Sequence, residues 1–140
     1  MIGMLTSNPL PLISVIVPVY NGARYLRAAL ESILAQGWQP LELLVVDDGS
    51  TDHSVQIAEQ YRPWVQCIRQ ANAGAGAARN RGVAAAQGEF FAFLDADDLW
   101  LPDKLALQMD YLYTHPELDM VFGQVEQFIS PELPLDQHPA

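Results

Sequence analysis

The stretch LISVIVPVYNGARYLRAALESILAQG, Leu12 to Gly37, contains a change of period that decides the fold. Residues 12–17 are a short, nearly continuous apolar run, the pattern of a strand covered on both faces. Leu26, Ala29, Leu30, Ile33 and Leu34 then fall at helical spacing, with Gly37 just past them as a stop. The same strand-then-helix beat occurs four times. Residues 41–46 are the second strand. A shorter helix over 52–61 follows, with Val55, Ala58 and Tyr61 as its stripe and Pro63 beyond its end. Residues 64–68 are the third strand, and the alanine-rich segment 75–87 is a helix of high intrinsic propensity. Residues 90–94 are the fourth strand. The fourth helix is predicted from Pro102, suited to a first helical position, to Tyr113, with Leu105, Met109 and Leu112 buried. A fifth strand is expected over 119–128. Strands alternating with helices of this length imply an α/β fold, a mostly parallel, Rossmann-like sheet with right-handed crossovers and flanking helices. Residues 1–11, with Pro9 and Pro11, read as a flexible leader, 12–128 as the folded unit, and 129–140 as a Pro-rich tail.

A chain of 140 residues is one ordinary domain, and half hydrophobic with 17% charged residues is a globular composition. The net charge of -10 argues against nucleic acid or an anionic membrane surface as a partner. It also means that a phosphate ligand needs a cation between itself and the protein. Cys67 is the single cysteine, which excludes an intrachain disulfide framework and a multi-cysteine zinc site. Its apolar surroundings make it a core residue rather than a nucleophile. His53, His115 and His138 are scattered and form no metal motif. No apolar stretch is long enough to span a membrane, because Pro18 and the polar residues after it interrupt the longest one. The first residues lack the basic and apolar regions of a signal peptide. The expected location is therefore the cytoplasm or the cytoplasmic face of a membrane.

In open parallel α/β sheets, ligands bind beyond the carboxyl ends of the strands. The unusual residues of this chain gather there. Pro18-Val-Tyr-Asn21 follows the first strand, and Asp47-Asp48-Gly49-Ser50-Thr51-Asp52 follows the second. Asn72-Ala-Gly74-Ala-Gly76-Ala-Ala-Arg79-Asn80 follows the third, and Asp95-Ala-Asp97-Asp98 the fourth. Six of the ten aspartates lie in two of these loops, a concentration that random surface acidity does not produce. Asp95 and Asp97, two apart in an extended turn, can face one cation. Hard oxygen ligands of this kind suit Mn2+ or Mg2+, with diphosphate oxygens completing the shell. The same aspartates could instead cap the fourth helix. Asp48 can accept a base N–H or a ribose hydroxyl, or can belong, like Gly49, Ser50 and Asp52, to a strand-to-helix turn with Ser50 or Asp52 as the cap. Gly74-x-Gly76 is not a dinucleotide fingerprint: Arg79 stands where that motif wants a small residue, and the segment follows the third strand rather than the first. The glycines serve a tight turn into a closely packed helix, while the guanidinium of Arg79 suits a nucleotide. Tyr20 can cover a base or simply pack.

Taken together, the four loops resemble the family 2 glycosyltransferases of the GT-A fold. The resemblance rests on Val17-Pro-Val-Tyr-Asn21, Val46-Asp-Asp-Gly-Ser-Thr-Asp52, Asn72-x-Gly74 running into Ala78-Arg79-Asn80-x-Gly82, and Phe93-Leu-Asp-Ala-Asp-Asp98 with Trp100, Pro102 and Lys104-Leu105. Each piece is weak alone, and the ordered set is specific. It implies a GT-A sheet truncated after about five strands. The implied activity is inverting transfer of a sugar from a nucleoside diphosphate donor, a UDP-sugar in the first instance, to an acceptor hydroxyl that the sequence does not identify. Pro18 and Tyr20 would then line the base pocket, Asp48 would bind the base, and Arg79 would lie near the nucleotide. Asp95 and Asp97 would hold the ribose and an Mn2+ or Mg2+, and Asp98 would cap the following helix.

The family's catalytic domain continues past this point to the carboxylate that deprotonates the acceptor. Glu126, Glu132 and Asp136 fall before its expected position, so the general base is expected outside this chain. A non-catalytic nucleotide-binding or assembly module is therefore the alternative reading. A phosphoacceptor receiver domain fits poorly, because its acidic pair would follow the first strand, which here ends in Pro-Val-Tyr-Asn, with a single Asp after the third and a Lys after the fifth. The sequence gives no oligomeric state.

Overall fold

Strand β1 (Ile13–Val19) is buried at every residue, so it needs neighbours on both edges and layers on both faces. A computed structural model supplies them and describes residues 10–123. Strand β2 (Leu41–Asp47) pairs with one edge of β1 along the whole strand, from Ile13↔Leu41 to Val19↔Asp47. Strand β4 (Phe90–Phe93) takes the other edge, and β3 (Val65–Arg69) adds to the outside of β2. All pairs are parallel and the order is β3-β2-β1-β4. This is the expected α/β sheet.

Alternation along the strands divides the core in two. Ile13, Val15, Val17 and Val19 of β1, with Leu43 and Val45 of β2, join one apolar cluster. Helix α1 (Ala23–Leu34) contributes Leu26, Ala29, Leu30 and Ile33 to it. Ala58 of α2 (Ser54–Glu59) and Leu105 and Met109 of α4 (Lys104–Thr114) join it too, with Trp38, Tyr61, Val65, Leu94, Ala96 and Trp100. Ile16, Leu44 and Val46 point to the opposite face, where Ala78 of α3 (Ala75–Ala85) covers them. Each fully buried Leu or Ile is worth roughly 1.5–3 kcal/mol relative to exposure. Helix α3 covers its face with small residues, so it can lie close to the sheet. A Cβ built on Gly82 would stand 2.5 Å from Ile16 Cγ2.

The elements depart from the sequence expectations mainly at their ends. The fourth helix begins at Lys104, not Pro102. Asp103 adopts a left-handed conformation (φ 65°), the Lys104 N–H donates to the Leu101 carbonyl, and Pro102 lies in that turn. Gln36, just beyond α1, supplies the missing cap: its Oε1 accepts the Leu105 N–H at 3.0 Å and its Nε2 donates to the Leu101 carbonyl at 2.8 Å. Asp98 therefore does not cap this helix; its N–H closes a turn onto the Asp95 carbonyl. Helix α2 is shorter than expected because Asp52 turns its carboxylate onto the Ser54 N–H and hydroxyl, and Tyr61 leaves the helix to bury its ring and donate to Glu31 Oε1. Of the expected fifth strand, residues 119–123 are not in a strand. Its remainder, residues 1–9 of the leader and the tail over 129–140 lie outside the described residues. Among the described residues no helix is long and apolar enough to cross a membrane.

Two glycines of α3 should respond oppositely to substitution. Gly82→Ala must displace Ile16 and should cost about 1–3 kcal/mol, as overpacking does. Gly76 has nothing within 4 Å of a built Cβ, and Gly76→Ala should stabilise by about 0.5–1 kcal/mol. Urea denaturation of both variants checks the pair.

Candidate functional site

The connections leaving the carboxyl ends of β1, β2 and β4, with the start of α3, enclose a crevice of about 350 Å3. Pro18, Tyr20, Asp48, Arg79, Asp95 and Asp97, the six candidates read from the sequence, all line it. Asn21, Gly22, Tyr25, Ala75 and Ala78 line it as well. Of these, Asn21 stands in a quoted motif without having been given a task. Tyr25 sits in the first turn of α1 and carries no sequence signal.

Each loop is held by its own chemistry. Strand β1 stops pairing at Val19, whose carbonyl accepts the Asp48 N–H at 2.8 Å. Tyr20 follows, 54% exposed. Asn21 then turns the chain with φ 50°, a left-handed conformation that Asn tolerates better than most residues. Its Oδ1 accepts the Thr51 N–H at 2.8 Å and the Asp52 N–H at 3.3 Å, tying the first loop to the second. Gly49 allows the second loop to turn: it has φ 83°, and a Cβ there would lie 2.9 Å from the Asn72 nitrogen. Asp47 Oδ2 accepts the Ser50 N–H at 3.1 Å, while its buried Oδ1 has no partner among the described residues.

Asp48 is 3% exposed, and its carboxylate is already occupied. Oδ1 accepts from Gln70 Nε2 and the Ala73 N–H, both at 2.8 Å. Oδ2 accepts the Gly74 N–H at 2.9 Å and Asn72 Nδ2 at 3.2 Å. Four donors fill the acceptor sites of an ionised carboxylate. They hold the carboxyl below its ordinary pKa, the Gln70 hydrogen bond first and the Ala73 N–H next, against the opposing effect of burial. In this structure Asp48 is thus the anchor of the 70–74 loop. Gly74 enters α3 from that loop with φ 101°.

At the other wall the carboxylates are open. Asp95 Oδ1 accepts from Arg79 Nη2 at 2.9 Å, a pair whose side chains are 50% and 40% exposed. Surface pairs of this kind are worth little to stability. Asp95, Asp97 and Asp98 each bring a carboxylate oxygen within 4.8 Å of the others. Burial, then the neighbouring charges of Asp97 and Asp95, push the Asp98 carboxyl above its ordinary value. Crowded, exposed hard-oxygen donors are the set that suits Mn2+ or Mg2+. The loop is fastened behind by Trp100, which is buried, receives Lys104 over its ring at 5.0 Å, and donates its backbone N–H to Ser32 Oγ at 3.1 Å. Cys67 lies outside the crevice, half-buried on β3, and burial pushes its thiol up to about 11. It is no nucleophile at neutral pH.

A parallel α/β sheet with an acid-rich crevice at its carboxyl ends is a Rossmann-like domain of the GT-A kind. Residues 14–138 match the family model described as glycosyl transferase family 2, and the chain belongs to that family. It is 49% identical over 89 residues to the uncharacterized glycosyltransferase YibD of Escherichia coli, covering 61% of this chain and 26% of that protein. Among solved structures it is similar to TarS 1–349 of S. aureus in complex with UDP-GlcNAc (TM-score 0.70, 35% identity, 74% of this chain and 32% of that one). It is also similar to the mannosyltransferase PcManGT of Pyrobaculum calidifontis in complex with GDP-Man and Mn2+ (TM-score 0.67, 32% identity, 75% and 33%). The chain spans about a quarter to a third of the length of these relatives.

The depressed Asp48 and Asp52 carboxyls fix the sign of an acid transition. A carboxyl whose pKa is lowered on folding contributes its full stability above its unfolded value near 3.8, and loses it as pH falls through the lower folded value. Stability from urea titrations should therefore decline as pH falls below about 4. Asp48→Asn should be less stable at neutral pH and show a shallower acid decline.

Proposed function

We propose that this chain carries the donor side of a metal-dependent, inverting glycosyltransferase. It would bind a nucleoside diphosphate sugar for transfer to an acceptor hydroxyl. The observation that carries the reading is the charge balance of the crevice: Asp48, Asp95 and Asp97 stand on its wall, and Arg79 is the one cation among the described residues that line it. A diphosphate would be repelled from that wall unless a divalent cation came with it. The resident metal would be Mn2+ or Mg2+, held by Asp97 with Asp95 beside it. Its chemistry when bound is to neutralise the diphosphate and stabilise it as a leaving group.

The chain's own residues have distinct tasks in this reading. Pro18 and the exposed ring of Tyr20 form the base pocket. Asp48 keeps the 70–74 loop in position and accepts a base N–H by exchanging it for one of its four donors, the Asn72 amide at 3.2 Å being the longest of them. Arg79 turns its guanidinium between Asp95 and the nucleotide, and Asp95 reaches the ribose. Residues 12–128 form the donor half-domain. The base that deprotonates the acceptor is supplied from outside this chain. A UDP-sugar is the proposed donor. TarS with UDP-GlcNAc supports that choice, and PcManGT with GDP-Man makes a GDP-sugar the competitor.

Calorimetric titration of UDP and of GDP, each with and without Mn2+, tests the reading. UDP should bind only with the metal. Asp97→Ala should abolish measurable binding, and Asp48→Ala should weaken it by about 10- to 100-fold, the range seen when a ligand's supporting residue is lost. Equal binding with and without Mn2+ would sink the proposal. An assay of sugar transfer and donor hydrolysis by a longer form separates an enzyme from a non-catalytic binding module, because only an enzyme turns over.

A further inference from the structure

The first two loops are joined by more hydrogen bonds than a chain turn needs. Asn21 Oδ1 accepts the N–H groups of Thr51 and Asp52 and the Thr51 hydroxyl, the last at 3.3 Å, and the Asn21 N–H donates to Ser50 Oγ at 2.9 Å. The next two residues continue the seam: the Gly22 N–H donates to Ser54 Oγ at 3.0 Å and the Ala23 N–H to Asp52 Oδ2 at 3.1 Å. These groups are about 30 residues apart in sequence. Asn21 can make the seam because its left-handed backbone turns both its amide and its side chain towards the second loop. Side chains longer or branched at Cβ rarely adopt that conformation.

We infer that Asn21 is a positioning residue for donor recognition: it locks the loop carrying Tyr20 to the loop carrying Asp48, and so fixes the base half of the crevice. The inference rests on the donor-site reading above. Its location on the crevice wall, between Tyr20 and the loop that carries Asp48, supports a functional task beyond holding the fold. None of the seam's hydrogen bonds reaches Arg79, Asp95 or Asp97. Loosening the seam should therefore disturb the base half and spare the diphosphate half.

Two probes separate the halves, UDP with Mn2+ and inorganic pyrophosphate with Mn2+, each titrated calorimetrically into the full chain. Asn21→Gly keeps the backbone conformation and removes Oδ1. It should bind UDP about tenfold more weakly, the scale of one or two lost hydrogen bonds, and bind pyrophosphate as the wild type does. Asn21→Asp retains the acceptor oxygen and should restore UDP affinity. Ser50→Ala removes the other end of the seam from a residue that does not line the crevice, and should weaken UDP alone, by a smaller factor. Equal losses for both probes mean general loosening and overturn the inference. So does unchanged UDP affinity in Asn21→Gly, or a loss in Asn21→Gly that Ser50→Ala does not share, which would mean direct contact. Wild type that fails to bind UDP overturns the donor-site reading itself, a result distinct from any pattern among the variants.

Discussion

The complete burial of β1 is the constraint on which the rest of the molecule depends. A strand with no exposed residue must be paired on both edges and covered on both faces. Parallel pairing then forces the chain to re-enter the sheet from the same end each time, with a helix as the return path. The outgoing connections consequently gather at the opposite end. Four loops distant in sequence meet there as a consequence of the topology. The crevice is where the apolar requirement stops: Val19 is 3% exposed and Tyr20, the next residue, 54%.

Carboxylates serve two opposite purposes around that crevice. On the β2 side Asp48 and Asp52 are consumed by the protein, while Asp47 keeps one buried oxygen without a partner among the described residues. Asp48 takes four donors and Asp52 caps the entry to α2, and hydrogen bonding lowers both carboxyls despite burial. Those on the β4 side stay exposed and crowd one another, with Asp98 raised by burial and by its two neighbours. A satisfied carboxylate fixes geometry. An exposed cluster retains unmet demand for positive charge, which Arg79 meets only at Asp95. The difference is set by what reaches them: the Ala73 and Gly74 N–H groups and the Gln70 and Asn72 amides meet Asp48, while Asp97 is exposed.

Much of this was legible before any coordinates. The four strand runs and the stripe of α1 are local patterns, and burial of Leu26, Ala29, Leu30 and Ile33 follows from their spacing alone. The convergence of Pro18, Tyr20, Asp48, Arg79, Asp95 and Asp97 follows from topology once the strands are called parallel. What escaped was non-local. Pro102 is a good first helical residue by local rules, yet Gln36, 65 to 69 residues earlier, decides where α4 starts. Asp98 looked like a cap because a helix followed, but the buried Trp100 and its bond to Ser32 intervene. The saturation of Asp48 could not be read from Asp47-Asp48-Gly49, since its donors lie on another loop. Nothing in Pro18-Val-Tyr-Asn21 marks Asn21 as a bridge until the second loop is placed beside it.

The two flanks of the crevice are finished to different degrees. On the β2 side the loops are cross-linked by side-chain hydrogen bonds and the crevice wall needs no further element. On the β4 side Phe91 and Phe93 are each 46% exposed on a strand whose outer edge has no partner among the described residues. Leu107 and Tyr111 on α4, with Met120 and Phe122 after it, add a second apolar surface. An unpaired edge and exposed aromatics are features that folded proteins ordinarily cover. Every residue of the proposed donor site comes from the ends of β1 and β2, from α3 and from the turn after β4, and none from the exposed apolar faces of β4 and α4. In the proposed reading, recognition of a donor is therefore separable in space from whatever meets those apolar faces.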